Sequence, residues 1–370
     1  MKTGRLVVLQ NSLPSYRVDF FEKVSALSDG QIVVLYSSTD LGVLTSSSVD
    51  NNWAKCLGKM SKIGMGLEWQ SGVFSFHVEA DDIVIISAAP RCISNFLFLI
   101  LLRLRGIKTI LWGHYWSSTS RPYRFLIRML LLRLSHALLF YTDQEVAEYK
   151  GGVGLNDKRL IMALNNGINL DPILPVREIY AAASRGKRLL FIGRLTVKAE
   201  VGILLRALTD PRLSALSLDV IGDGEESDRL RTLTKVLGLS ERVFWHGATV
   251  DEAVVASTVN NCLIFVYPGS VGLSLIHAMA YGLPSIIHDD RWHQGPEVAA
   301  FEKGITGLTF KRGSCQSLSD ALVVGISDYK WLDDAAVASK NKIKEKYNTS
   351  AMAGKLINLR DELFFANSKS

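Results

Sequence analysis

Short apolar runs alternate with longer helical patterns from one end of the chain to the other. Runs such as IVIIS (83–87), LLFIG (189–193) and LIFVY (263–267) are almost continuously apolar. A strand buried on both faces reads this way, whereas a half-exposed strand alternates apolar with polar residues. The pattern predicts strands at 5–10, 31–36, 82–87, 108–112, 137–141 and 159–163 in the first half. It predicts others at 187–192, 217–221, 242–245, 262–267, 284–287 and 307–310. Helical segments fall between most of them, which is the arrangement of parallel sheets with crossover helices. The expected fold class is α/β, with two doubly wound domains. Asn, Gly, Asp and Pro punctuate NNGINLDPILP (165–175) and divide the pattern. The first domain is expected over 1–170, a linker over 171–185 and the second domain over 186–345. A last helical segment, 346–370, follows a break near Tyr347 and is expected to pack back on the first domain. In sheets of this kind a ligand sits in the crevice at the carboxyl ends of the strands.

Composition narrows the function classes. A length of 370 residues suits two domains at roughly 150 residues each, and 48% hydrophobic with 21% charged residues excludes a disordered or fibrous chain. The net charge of +6 falls far short of a nucleic-acid-coating protein, so no nucleic-acid partner is expected. Cys56, Cys92, Cys262 and Cys315 lie far apart without metal-ligand spacing. That argues against a disulfide scaffold or a zinc site and fits a reducing compartment. The apolar run at 6–9 is too short for a signal peptide, and the one at 96–102 is far below the about 20 residues that span a bilayer. The expected location is therefore cytoplasmic.

Charge is also unevenly placed. Ile83 to Thr142 contains no Asp or Glu but holds Arg91, Arg103, Arg105, Lys108, Arg121, Arg124, Arg128 and Arg133. FLFLILL (96–102) and FLIRMLLLRL (125–134) run between these cations, and Arg121, Arg124 and Arg128 share a helical face. Region 91–133 thus suits docking on an anionic membrane surface, where each basic residue contributes about 1 kcal/mol. The other reading is a buried crossover helix with one solvated edge.

Two segments carry candidate chemistry. In YPGSVGLSLIHAMAYGLPSII (267–287) a buried strand meets a Pro-Gly turn and then an apolar helix expected from about Ser270 to Tyr281. Ser270 is the expected N-cap, Gly282 the left-handed cap and Pro284 the stop. Gly269 and Gly272 would let a ligand approach the backbone of Ser270, Val271 and Leu273, where free N–H groups and the helix dipole favour a phosphate. Ser270, Ser274 and His277 share one helical face; His277 is either a site residue or a core histidine satisfied by a hydrogen bond. In LLFIGRLTVKAE (189–200), Arg194 and Lys198 follow a strand end. Two such cations suit a diphosphate, or else the loop is simply solvated.

Together these segments resemble the second domain of the retaining glycosyltransferases of family 4, which have the GT-B fold of two Rossmann-like domains facing a cleft. The carrying motifs are Gly193-Arg194-Leu195, IGDG (221–224), HGA (246–248), AMAYGLP (278–284) and ITGLTF (305–310), and NNGIN (165–169) resembles the end of the family's first domain. The family's two motif glutamates align with Gly269 and His277, so this chain resembles a variant subgroup with Gly and His at those positions. The family's lysine aligns with Ala199, with Lys198 one residue early. The resemblance implies a nucleotide-diphosphate-sugar donor and a glycan acceptor, expected to be lipid-linked, in synthesis of a bacterial surface polysaccharide such as O-antigen, capsule or exopolysaccharide.

It further implies donor contacts from Arg194, Lys198, the 269–273 loop and His277. His114, just past a buried strand in Trp112-Gly113-His114, would touch the donor sugar, or is a structural histidine. Tyr16 and Arg17, in NSLPSYRVDFF (11–21), would face the cleft from the acceptor side. Glu297 is a candidate substitute carboxylate, and Asp289 and Asp290 lie in a loop that would line the cleft. No Walker loop, HExxH, GxSxG or DxD triad occurs, so neither cofactor nor metal is expected. The function that the resemblance implies is a retaining, metal-independent glycosyltransferase, expected at the inner face of the plasma membrane. A non-catalytic glycan- or partner-binding relative and a sugar-nucleotide epimerase are the alternatives.

Overall fold

The computed structural model describes residues 4–38, 51–64, 66–115 and 122–365, with the backbone alone at 122–124. The chain forms two units, one of Met1–Asn165 with Thr349–Ser370 and one of Asn166–Asn348.

The first unit runs β1 (Leu6–Leu9), α1 (Val18–Leu27), β2 (Ile32–Ser38), β3 (Ala54–Lys62), β4 (Glu68–Gln70), β5 (Ile83–Ser87), α2 (Ile93–Leu104), β6 (Lys108–Trp112), α3 (Pro122–Leu132), β7 (Ala137–Phe140), α4 (Asp143–Gly151) and β8 (Leu160–Ala163). Its sheet has the order β4-β3-β2-β1-β5-β6-β7-β8. Only β3 and β4 pair antiparallel. These two strands were not expected from sequence. β3 lies one strand in from the β4 edge with every residue exposed or half-exposed, so it lacks the apolar run that marks a central strand. β1, β5 and β7 are buried almost throughout, and the side chains of Leu6 and Val8 enter one core while Val7 and Leu9 enter another. That split is the period-two geometry of a strand covered on both faces.

The second unit runs β9 (Arg188–Ile192), α5 (Val201–Ala207), β10 (Ser217–Ile221), α6 (Ser227–Val236), β11 (Val243–Gly247), α7 (Glu252–Val259), β12 (Ile264–Tyr267), α8 (Leu273–Ala280), β13 (Ser285–His288), β14 (Gly307–Phe310), α9 (Cys315–Ser327) and α10 (Tyr329–Lys346). Its six strands are parallel in the order β11-β10-β9-β12-β13-β14. The order reverses between β9 and β12, which is where a doubly wound sheet opens its ligand crevice. The family-like motifs hold each other here. Gly193 N–H donates to the Ile221 carbonyl at 3.0 Å and Leu195 N–H to that of Asp223 at 2.9 Å. Gly222 packs so closely that an added Cβ would stand 1.9 Å from the Gly193 carbonyl oxygen. In HGA, His246 is the extra residue where the β10/β11 register shifts, and its Nε2 meets the buried Asp219 carboxylate at 2.7 Å.

The last helix, α11 (Thr349–Phe365), returns to the first unit and packs on α1. Met352, Leu356, Leu359 and Leu363 enter the core that holds Phe20 and Phe21. Each such side chain contributes about 1.5–3 kcal/mol on burial. Lys108 fixes the end of this helix by donating to the Leu363 carbonyl at 2.6 Å.

Candidate functional site

The site-forming loops of the second unit leave the carboxyl ends of β9 and β12. Arg194 and Lys198 both lie exposed in the loop after β9, with no carboxylate partner among the described residues. The 268–272 loop is fastened on both sides. Ser270 N–H donates to the Lys198 carbonyl at 3.0 Å. Val271 N–H donates to Gln294 Oε1 at 2.8 Å, and Gln294 Nε2 reaches the His288 carbonyl at 3.2 Å. Gly295 N–H returns to the Val271 carbonyl at 2.8 Å. Under the loop the Tyr267 ring stacks on Phe191 with centroids 4.8 Å apart. Burial raises the Tyr267 phenol pKa, with the nearby Arg194 charge acting against it.

The helix begins later than the sequence suggested. Its N-cap is Gly272, and Ser270 lies three residues outside the first turn, exposed and making no side-chain cap. The turn at Val271–Gly272, held by Gln294 and Gly295, sets the start instead of a serine cap. Ser270 therefore does not share the helical face of Ser274 and His277. Ser274 Oγ and the Tyr267 ring both lie close against Gly193. Leu275 N–H turns back to the Gly272 carbonyl at 3.0 Å, so the helix opens towards Gly272 with its first N–H groups, as every helix must. Gly282, at φ +81°, closes the helix as expected.

His277 is held by a residue that sequence reasoning missed. Its Nε2 lies 2.8 Å from Glu252 Oε1, and the same oxygen accepts from Tyr281 OH at 2.5 Å. Burial alone would raise the Glu252 pKa, but the hydrogen bonds from His277 and Tyr281 outweigh it and hold the carboxyl below its usual range. With Nε2 donating to this carboxylate, a neutral His277 presents Nδ1 as an acceptor. The lowered pKa fixes a sign. The contribution of Glu252 is present above the unfolded carboxyl pKa and is lost as pH falls through the lower folded value. Glu252→Gln is expected to cost about 1 kcal/mol at neutral pH. Thermal unfolding followed from pH 7 to pH 3 should show the wild type losing that advantage on acidification; parallel curves would contradict this.

Glu297 is buried in the short turn Pro296–Ala300, and its Oε1 accepts from Asn166 Nδ2 at 2.9 Å. Its Oε2 lies against Gly272 and Gly295, behind the start of α8. Asp289 and Asp290 are used locally: Asp289 accepts from Arg312 N–H, and Asp290 caps Arg291–His293 and meets His293 Nδ1 at 2.6 Å.

In the first unit, His114 follows β6. Its Nδ1 lies 3.0 Å from Glu145 Oε1, and its ring stacks on Tyr141 with centroids 4.2 Å apart. Glu145 also accepts from the N–H groups of Tyr115, Tyr141 and Thr142, each at 3.1 Å, and completes the capping box of α4. A carboxylate accepting in this way places the proton on Nδ1, so neutral His114 offers Nε2 as an acceptor. Capping-box Glu145 was visible in the sequence as Thr142-Asp143-Gln144-Glu145, but its reach to His114 was not.

Arg17 is buried at 6% exposure, while its neighbours Ser15 and Tyr16 are exposed. Arg128 is buried too, its guanidinium reaching the Tyr115 carbonyl, so it is no part of a solvated basic face. Arg121 and the Arg124 side chain lie outside the described residues. α2 and α3 nonetheless bury residues in the same core and leave Leu97, Ile100, Leu104, Leu126, Ile127 and Leu130 exposed. No helix among the described residues is long and apolar enough to cross a membrane.

Residues 175–345 match the family model for glycosyl transferases group 1. A phosphatidyl-myo-inositol mannosyltransferase from Mycobacterium leprae is 26% identical over 212 residues, 55% of this chain and 54% of its own length. The chain spans about half the length of the curated relatives it matches, 54% and 57%. Among solved structures, Anabaena HepE in complex with UDP aligns over 96% of this chain and 98% of its own, at TM-score 0.67 and 14% identity. The lipopolysaccharide outer core galactosyltransferase WaaB has the same coverage and TM-score, at 15% identity. The fold is GT-B. In GT-B terms the second unit, which carries the group 1 match, contains Arg194 and Lys198 in the loop after β9, the 268–272 loop and His277 on α8. His114, Tyr16 and Arg17 belong to the first unit.

Proposed function

We propose that the chain is a retaining glycosyltransferase that moves a sugar from a nucleotide-diphosphate sugar to a lipid-linked glycan in bacterial surface polysaccharide synthesis. The observation that carries this reading is the pair of exposed, unpaired cations Arg194 and Lys198, beside the opening turn of α8 at the switch point of the second sheet. Cations and a helix N-terminus together suit a diphosphate. Their value is greatest in the transition state, when charge builds on the leaving group, so they lower the barrier rather than merely bind the donor. This neutralisation comes from the chain itself, and the reaction is proposed to need no metal. His277, fixed by Glu252, would accept from a ribose hydroxyl through Nδ1. His114, fixed by Glu145, would accept from a hydroxyl of the donor sugar through Nε2. A front-face transfer, in which the departing diphosphate takes the acceptor proton, retains configuration without a protein nucleophile. The UDP complex of HepE supports a nucleotide donor, and the likeness to WaaB, a lipopolysaccharide outer core galactosyltransferase, supports a glycan acceptor.

Thermal unfolding with nucleoside diphosphates and their sugars tests the reading. At 100 times its dissociation constant the right ligand adds about 2.7 kcal/mol. One base should stand out, with or without chelator. If no nucleotide stabilises the chain, the binding-protein alternative replaces the transferase.

The exposed apolar side chains of α2 and α3, with Arg103, Arg105 and Arg133 nearby in sequence, support docking on anionic lipid at the inner face of the plasma membrane. Cosedimentation with vesicles containing phosphatidylglycerol is expected, and Leu126→Glu with Leu130→Glu should weaken it about tenfold or more. Equal binding by the double variant would remove this surface from the proposal.

A further inference from the structure

The first unit buries a positive charge that no carboxylate among the described residues pairs. Three arginines are less than one-tenth exposed: Arg17, Arg128 and Arg360. Arg360 pairs with Asp361, and Arg128 feels the charge of Glu145. Arg17 has no carboxylate among the described residues. Its contacts are neutral: Nη1 donates to Gln10 Oε1 at 2.9 Å, Nη2 reaches Tyr141 OH at 3.4 Å, and the guanidinium lies 4.4 Å from the Trp112 ring centroid. An aromatic face attracts the cation but accepts none of its in-plane N–H bonds. Arg17 Nε accordingly has no hydrogen-bond partner, and neither has Trp112 Nε1.

Buried charges are normally paired, and buried donors normally find acceptors. Here an unpaired cation and two orphaned donors lie together, which is an excess of donors over acceptors. The group that balances both deficits is an oxyanion. It would supply negative charge and several lone pairs, and arginine binds such groups through two parallel hydrogen bonds. The position also fits a substrate site. Gln10, Trp112 and Tyr141 stand at or just past the carboxyl ends of β1, β6 and β7, and Tyr141 stacks on His114. The exposed Tyr16 ring lies 5.8 Å from the guanidinium, in a one-turn segment, Ser15–Arg17, that has no side-chain cap.

We propose that Arg17 anchors an oxyanion subsite in the first unit, which takes the carboxylate or phosphate group of an acidic acceptor. This rests on the transferase function proposed above.

The test uses the full chain without nucleotide. Thermal unfolding and calorimetric titration are run with glucuronate, with methyl phosphate, and with glucose as the neutral control, at constant ionic strength. The wild type should bind one oxyanion saturably and ignore glucose. A glucuronate response identifies a uronic-acid acceptor, and a methyl phosphate response identifies a phosphorylated one. Arg17→Gln should weaken that binding roughly tenfold to a hundredfold. Gln10→Ala removes the competing acceptor from Nη1 and should bind the same oxyanion more tightly. That variant decides the matter if Arg17→Gln does not fold, because a purely structural arginine would gain no affinity. Absence of saturable binding by the wild type, or unchanged binding by Arg17→Gln, overturns the subsite. Loss of nucleotide binding by Arg17→Gln, with oxyanion binding intact, would return the residue to the donor and overturn the acceptor assignment. The transferase reading itself fails separately, if nucleotides do not bind the wild type.

Discussion

Arg194→Ala is expected to remove the stabilisation given by the donor nucleotide and to lower kcat/KM by about a hundredfold to a thousandfold. The expectation follows from where the side chain is, not from how it is held. Arg194 is exposed and unpaired in the loop after β9, so its removal leaves no buried partner unsatisfied. Surface changes of that kind alter stability by about 0.5 kcal/mol or less. Unliganded thermal unfolding should therefore be almost unchanged. The loss should fall on kcat as well as KM, because the leaving diphosphate carries more charge in the transition state than in the ground state. Lys198→Ala should show a smaller effect, about tenfold, since a single flexible ammonium lacks the fork geometry of arginine. Turnover is read as released nucleoside diphosphate. An Arg194→Ala enzyme with wild-type kcat/KM would show that the two cations are only a solvated loop.

The sheets were legible because their central strands are apolar on both faces; LLFIG and LIFVY can be little else. β3 was not legible, because AKCLGKMSK, one strand in from the edge, keeps none of its side chains buried. The site divides similarly. Arg194 and Lys198 could be found from spacing, since a strand end followed by two cations is a local pattern. Glu252 could not, because it meets His277 across 25 residues of sequence and reads locally as a helix-start acid after Asp251. Burial of charge was the other blind spot. Periodicity put Arg128 on a polar face, yet its side chain reaches the Tyr115 carbonyl and feels the charge of Glu145. Likewise Arg17 reads as a loop cation, and only the tertiary contact with Trp112 shows that it is enclosed.

Gly269 presents the sharpest case of a residue whose identity is set by packing. In the resembling family a glutamate aligns here, which invites the view that this chain has lost a carboxylate that could be restored. The backbone argues otherwise. A Cβ on Gly269 would stand 2.0 Å from the Lys198 carbonyl oxygen and 2.7 Å from the Ala199 carbonyl carbon. Both neighbours are main chain, and the Lys198 carbonyl is already engaged by Ser270 N–H. No rotamer change can relieve the contact, so the loop must move. Gly269→Ala is expected to cost about 2–3 kcal/mol, the scale of overpacking a tight interior. For a unit of this size that lowers Tm by roughly 4–12 °C. Gly269→Glu should be at least as destabilised and should not raise turnover, because the shift that admits its Cβ also displaces Lys198, whose ammonium the diphosphate needs. A Gly269→Glu protein with unchanged Tm and higher kcat would mean that the loop yields easily and that the carboxylate was merely absent. Unfolding and turnover measured on the same samples separate these outcomes, since one depends on the seat of the loop and the other on the charge it carries.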